Sequence, residues 1–203
     1  MLELKKISLD AETNGLWGKA FAIAAIAYDE KGEEVGRFIG RCPIEGEIDS
    51  FVKDNVLPQM TFIPENFVSY DDMLAAFFKW REAYRKDGFG ELVHMGVPVE
   101  ARLYMDARAA SLIGDFDGPY PLVDISALPE IGTSVDGYNE KHQITPNPTE
   151  FIGGPHNPLY DVAATYAAYK HWMRQRQAYL NAEEEKARAK EMEKIAQTMA
   201  GHC

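Results

Sequence analysis

Along the first half of the chain, apolar and polar positions follow the period of a strand and then switch to that of a helix. Leu2, Leu4, Ile7 and Leu9 lead up to Asp10. This predicts a strand with an irregularity at Lys5 and Lys6 that delivers Asp10 to its end. Residues Ala20–Tyr28 (AFAIAAIAY) are almost continuously apolar, small or β-branched, which fits a strand buried on both faces. Asp29-Glu30-Lys31-Gly32 reads as a turn and Glu34–Arg41 as the partner strand, giving an antiparallel meander. From Ile48 to Met60, and again from Tyr70 to Arg85, apolar side chains fall at helical spacing. Both segments are predicted helices, with Met73, Phe77 and Trp80 turned to the core. Gly88 and Gly90 end the second helix. Then follow a short strand over Glu91–Met95 (ELVHM), a helix over Pro98–Ile113 with proline in its first turn, and a fifth strand over Pro121–Ile125 (PLVDI). Residues 129–158 are rich in proline and glycine and read as one long loop, after which Pro158 opens a last helix.

This order predicts an α/β fold: a mixed five-stranded sheet flanked by helices, with functional groups gathered at the carboxyl ends of strands. A chain of 203 residues completes one hydrophobic core. The expected organisation is one domain over residues 1–180 and a charged helical extension over 181–203. Within that extension, Ala182–Lys194 carries pairs such as Glu184 and Arg188, which support a solvated helix. Its apolar stripe is thin, so fraying is expected there, or a contact with a protein partner or a second copy of the chain.

The longest apolar run spans nine residues, against the roughly 20 that a membrane-spanning helix needs, and the start holds no apolar block before a cleavage site. Cys42 and Cys203 form neither a disulfide framework nor a zinc pattern. A cytoplasmic setting is expected. The 21 basic and 32 acidic residues leave a net charge of −11, which argues against a protein that coats long duplexes. An enzyme that draws one strand end into a metal-lined pocket can nevertheless be acidic, because bound cations invert the local field.

Candidate chemistry centres on a few carboxylates. Asp10 and Glu12 lie two apart, so a strand sends both to the same side. Together they can share a hard cation such as Mg2+, which takes oxygen ligands, and three or four carboxylates around one point can seat two such ions. The segment His156–Asp161 (HNPLYD) supplies further parts. Asn157 is a good N-cap and Pro158 a good first helical residue, which sets Asp161 in the first turn and His156 just before the cap. Histidine suits the role of proton acceptor, since its ordinary pKa of about 6.5 lies near working pH.

The segments ISLDAETNGL (7–16), LVHMGVPVEARL (92–103), PLVDISAL (121–128) and HNPLYDVAATYAAY (156–169) resemble, in order, the motifs of the DEDDh family. These are the DnaQ-like 3′–5′ exonucleases on the RNase H-like fold. The resemblance covers roughly residues 1–180. It implies a 3′–5′ exonuclease acting on the 3′ end of single-stranded RNA or DNA, short oligomers favoured, with two Mg2+ (or Mn2+) ions as cofactors. It further implies that Asp10, Glu12 and Asp161 are metal ligands and His156 the general base. Thr13 and Leu16 would contact the terminal nucleotide, Leu16 by wedging against its base. The second motif departs from the family pattern, with Gly96 and Glu100 where Asn and Asp are usual. Glu100 is then either the fourth ligand, its longer side chain displacing the oxygens, or a first-turn carboxylate complementing the helix dipole. Asp106, six residues on, lies on a different helical face.

Other features have plainer readings. Trp17 either stacks on a base or packs, packing being the commoner use of an aromatic in an apolar neighbourhood. His94 on its apolar strand reads as a hydrogen-bonded core histidine, while His142, His171 and His202 have no companions at ligand spacing. Gly88-Phe89-Gly90 lacks the third glycine of a dinucleotide loop. Two further function classes stay open: a catalytically weak or silent nucleic-acid-binding module, and a subunit of a larger nuclease complex.

Overall fold

The computed structural model describes residues 4–146 and 153–200. Leu2, residues 147–152 of the expected loop, His202 and Cys203 lie outside the described residues. The chain folds as an α/β structure on a five-stranded mixed sheet in the order β3-β2-β1-β4-β5. Its strands are β1 (Lys6–Thr13), β2 (Ala20–Tyr28), β3 (Glu34–Arg41), β4 (Gly90–Val93) and β5 (Leu122–Asp124). β1 pairs antiparallel with β2, and β2 with β3, whereas β4 is parallel to both β1 and β5. Among the described residues the α-helices are α1 (Tyr70–Lys86), α2 (Val99–Ala109), α3 (Val135–Lys141) and α4 (Pro158–Ala200).

Side chains of β1 divide between two cores. Ile7 and Leu9 join Ile23, Leu74 and Phe77 in a cluster that buries α1 against one face. On the other face Leu92 and Ile125 meet Tyr138 of α3 and Ala164 and Ala168 of α4. Ser8 points the same way, its hydroxyl donating to the Val162 carbonyl at 2.9 Å and tying β1 to α4. Between α1 and β4 lies a buried ion pair. Arg81 donates from Nε to Glu91 at 2.7 Å and from Nη2 to the Gly118 carbonyl at 2.9 Å, so its charge is fully satisfied away from water.

Several sequence expectations change on folding. β1 does not stop at Asp10 but runs on to Thr13, because its ladder with β2 needs only backbone groups and persists where apolar alternation gives way to carboxylates. The irregularity falls between Glu12 and Thr13, not at Lys5 and Lys6. The helix expected over Ile48–Met60 is instead a π-helical turn (Val52–Val56) running into a 3-10 turn (Leu57–Phe62). Pro58, lacking an N–H, interrupts regular α-helical bonding there. α2 ends at Ala109, four residues short of Ile113. Within the expected loop, α3 forms, capped by the Ser134 side chain accepting from Gly137 N–H at 3.1 Å.

α4 is 43 residues long, about 65 Å at 1.5 Å per residue. It passes residue 180 without a break, and residues 181–193 are exposed throughout. No helix among the described residues is long and apolar enough to cross a membrane.

Candidate metal centre

Asp10 and Glu12 project from β1 opposite Ala24 and Ala22 of β2. Those methyl side chains leave room beside the carboxylates for α4 to approach. The start of α4 is set by its sequence: Asn157 Oδ1 accepts from the N–H groups of Leu159 (3.1 Å) and Tyr160 (3.4 Å), and Pro158 occupies the first helical position. Asp161 is thereby placed in the first turn, facing the sheet. Carboxylate oxygens of Asp10, Glu12 and Asp161 lie within 4.8 Å of one another. Glu100, from the first turn of α2, stands beside this triad but outside it. It is 5% exposed, and its Oε1 accepts from the Ala11 N–H at 3.1 Å.

Four carboxyl groups so arranged resist ionisation. Burial pushes Asp10 up to about 7. Glu12 rises to about 10, through burial first and then the charges of Asp10, Asp161 and Glu100. Asp161 and Glu100 are likewise held well above the usual carboxylate range, by burial and by Asp10. The N–H groups of Ala11 and His156 oppose this at Glu100 and Asp161 without reversing it, whereas Asp10 Oδ2 is buried with no hydrogen-bond partner among the described residues. An orphaned buried carboxylate oxygen is costly, and one facing other carboxylates fits a divalent cation. An all-oxygen donor set suits a hard ion of the Mg2+ or Mn2+ kind.

The triad lines a cleft of about 330 Å³, together with His94, Glu100, Ser134, Asp136 and His156. His156 adopts a left-handed backbone conformation (φ 68°). Its N–H donates to Asp161 Oδ2 at 3.0 Å, and its ring meets Phe51 edge to face with centroids 5.5 Å apart. One bond therefore fixes the histidine backbone to the carboxylate it adjoins. His94 is hydrogen-bonded as expected, Nε2 lying 3.0 Å from the Gly132 carbonyl, although it lines this cleft. Asp136 escaped the sequence reading because α3 did. It accepts from the Tyr160 hydroxyl at 2.8 Å, and its charge helps to raise Asp161. The Ser134 cap followed by Val135 and Tyr138 at i, i+3 was the available signal.

Beyond Thr13 the chain turns through a tight loop that displays Leu16 (59% exposed) and Trp17 (73% exposed). Gly15 has φ +75°, and a side chain at Gly18 would collide with the Asn14 carbonyl, so both glycines are needed to make the turn. The packing expected of Trp17 is therefore not found; its ring faces solvent. Three bonds anchor the loop: Asn14 Nδ2 donates to the Glu47 carbonyl at 2.8 Å and Asn14 Oδ1 accepts from the Asp49 N–H at 2.8 Å, while Arg102 Nη1 donates to the Trp17 carbonyl at 2.6 Å. Asp106 serves elsewhere, accepting from the Tyr70 hydroxyl at 2.7 Å and from Arg102 Nε at 3.4 Å. The fold also gives His142 and His171 the companions their spacing did not suggest. Their rings lie 4.8 Å apart, and the Tyr138 hydroxyl is 2.9 Å from His171 Nδ1.

No protein-family model matches the chain, and a search of curated proteins returns no significant similarity.

Proposed function

We propose that this protein is a metal-dependent 3′–5′ exonuclease of the DEDDh type on an RNase H-like fold, hydrolysing phosphodiester bonds at the 3′ end of single-stranded RNA or DNA. The observation that carries the reading is the meeting of Asp10, Glu12 and Asp161 within 4.8 Å, beside a histidine whose N–H is bonded to the third of them. Sheet order supports it: an antiparallel meander followed by parallel strands sets the carboxylates of the central strand against the last helix.

Asp10, Glu12 and Asp161 would hold two Mg2+ or Mn2+ ions, with Glu100 completing the set. Bound there, the ions would activate a water and neutralise charge on the scissile phosphate. His156 takes the proton from that water as general base. Its position on a loop lets it follow the nucleophile, while the bond from its N–H to Asp161 limits its travel. Leu16 wedges against the terminal base and Thr13 seats the 3′ hydroxyl, with the exposed Trp17 ring offering a stacking face. Thr13 directly follows Glu12 on β1, and the loop that carries Leu16 and Trp17 leaves from that strand end, so base contact and chemistry stay close together.

A 3′-phosphorylated oligonucleotide is expected to resist degradation while its 3′-hydroxyl counterpart is shortened one nucleotide at a time, as denaturing gels with 5′-labelled RNA and DNA would display. Cutting of a circular single strand would refute exonuclease action. Arg102 acts as a positioning residue through the Trp17 carbonyl. Arg102→Ala is expected to raise KM for oligonucleotide about three- to tenfold with kcat within twofold; a loss in kcat alone would contradict this role.

One observation favours a second reading, a weak or silent nucleic-acid-binding module: the engagement of Glu100 Oε1 by the Ala11 N–H, which leaves that carboxylate fewer free lone pairs for an ion. Calorimetric titration with Mn2+ in the presence of nucleotide separates the two, two sites favouring the enzyme and one or none the module.

A further inference from the structure

A second cavity, of about 540 Å³, opens between the end of α3 and α4, lined by Glu130, Lys141, His142, Trp172, Arg176 and Tyr179 among others. Its volume lies within the range of small-molecule sites, roughly 300–1,000 Å³. We propose that this cavity is an upstream nucleotide subsite, holding the 5′-ward part of the same single strand whose 3′ end reaches the carboxylates; it rests on the exonuclease reading above.

Helix geometry links the two places. Asp161, Thr165, Trp172, Arg176 and Tyr179 are separated by four, seven, four and three residues, so all five fall within about 60° of one another on α4. Asp161 and Thr165 line the metal cleft; the other three line the second cavity. α3 does the same on the facing wall, Ser134, Val135 and Asp136 bordering the cleft and Lys141 and His142 the cavity. Trp172 lies about 16 Å along α4 from Asp161, the reach of about five stacked nucleotides at 3.4 Å each.

The chemistry of the walls fits a phosphodiester strand. Trp172 is held in one orientation by its Nε1–H donating to Glu130 at 3.0 Å, with the Arg176 guanidinium over its ring at 5.4 Å. Tyr179, 65% exposed, offers a second ring face. Aromatic faces of this kind stack on any base, and arginine adds to the stack. Among the described residues Lys141 and Arg176 have no carboxylate within salt-bridge distance, although both charges act on Glu130, whose carboxyl pKa is held below its ordinary value by the Trp172 bond first and then by these cations. Among the described residues of the wall Glu130 is the one carboxylate, against Lys141 and Arg176, so the wall keeps a positive balance. On a chain of net charge −11, such a cationic and aromatic island is a place where a polyanion gains both charge pairing and stacking.

The test uses the full chain and 5′-fluorescein single strands, a dinucleotide and a 10-mer, each in DNA and RNA. In EDTA, anisotropy of the 3′-phosphorylated 10-mer is expected to report binding that Trp172→Ala and Arg176→Glu each weaken at least tenfold. With Mn2+, KM for the 10-mer should rise by a similar factor while KM for the dinucleotide stays within twofold. Arg176 is exposed, so its variant guards against a folding defect at Trp172. Loss of 10-mer binding without any hydrolysis by the wild type would sustain the subsite and refute only the exonuclease reading. Equal effects on both lengths, or none on the 10-mer, would overturn the subsite. So would a dimer that Arg176→Glu dissociates without strand binding, which would assign this face to a second copy of the chain.

Discussion

Asp10→Asn and His156→Ala are each expected to reduce mononucleotide release by at least about a hundredfold, and Asp10→Asn by more, with circular dichroism unchanged. The base removes a proton in the rate-limiting attack, and such transfers are worth about 10²–10⁴ in rate. Asp10 has the larger effect because it faces Glu12, Asp161 and Glu100 at once, so its loss disturbs the whole ion-binding set. A time course with 5′-labelled oligonucleotide in Mn2+ checks both. Full activity in either variant would rule out the assigned role. Because His156 is held by its backbone N–H, alanine there removes the ring yet leaves the bond to Asp161 intact. The His156 variant should therefore still bind Mn2+ with wild-type affinity, which distinguishes loss of a base from loss of a ligand.

Without divalent cations, the protein is expected to become less heat-stable as pH rises from about 4 towards 8, and added Mn2+ should reverse this most strongly at the alkaline end. The sign follows from proton binding. Asp10 titrates near 3.8 in the unfolded chain and at about 7 in the fold, and Glu12 moves from 4.5 to about 10. Between those limits the native state holds more protons than the unfolded one, so stability falls with rising pH. A cation that binds only the native site at a hundred times its Kd contributes about 2.7 kcal/mol. For a chain of this size that is on the order of 5–10 °C in Tm. Scanning calorimetry in EDTA and in Mn2+ at pH 5 and pH 8 measures the effect. A flat EDTA profile would show that the four carboxyl groups do not repel one another. Asp10→Asn carries the corollary: in EDTA at pH 8 it should melt above the wild type, since a neutral amide relieves the repulsion.

Much of this was written in local patterns. The near-continuous apolar run of β2 and the helical spacing of Met73, Phe77 and Trp80 each depend on a short stretch of chain and fold as the pattern predicts, and β1 forms where alternation announces it, though its ends and irregularity shift. The start of α4 was equally legible, because Asn157 and Pro158 act on the turn they begin. Failures cluster where one residue overrides a period. Pro58 turns a helical pattern into π and 3-10 turns, and the glycine- and proline-rich surroundings of α3 conceal a seven-residue helix. Trp17 was weighted toward packing by its apolar neighbours, yet the glycines on either side of the loop carry it out into solvent.

By itself the sequence determined which groups were available: two carboxylates on one side of a strand, a third in the first turn of a capped helix and a histidine before the cap. Those relations span a few residues, and backbone periodicity fixes them. Tertiary structure alone decided that the three carboxylates converge within 4.8 Å, that Glu100 spends an oxygen on the Ala11 N–H, and that Lys141, Trp172 and Arg176 share one cavity. Such meetings join residues up to about 150 positions apart, and only the packing of helices on the sheet brings them to one place.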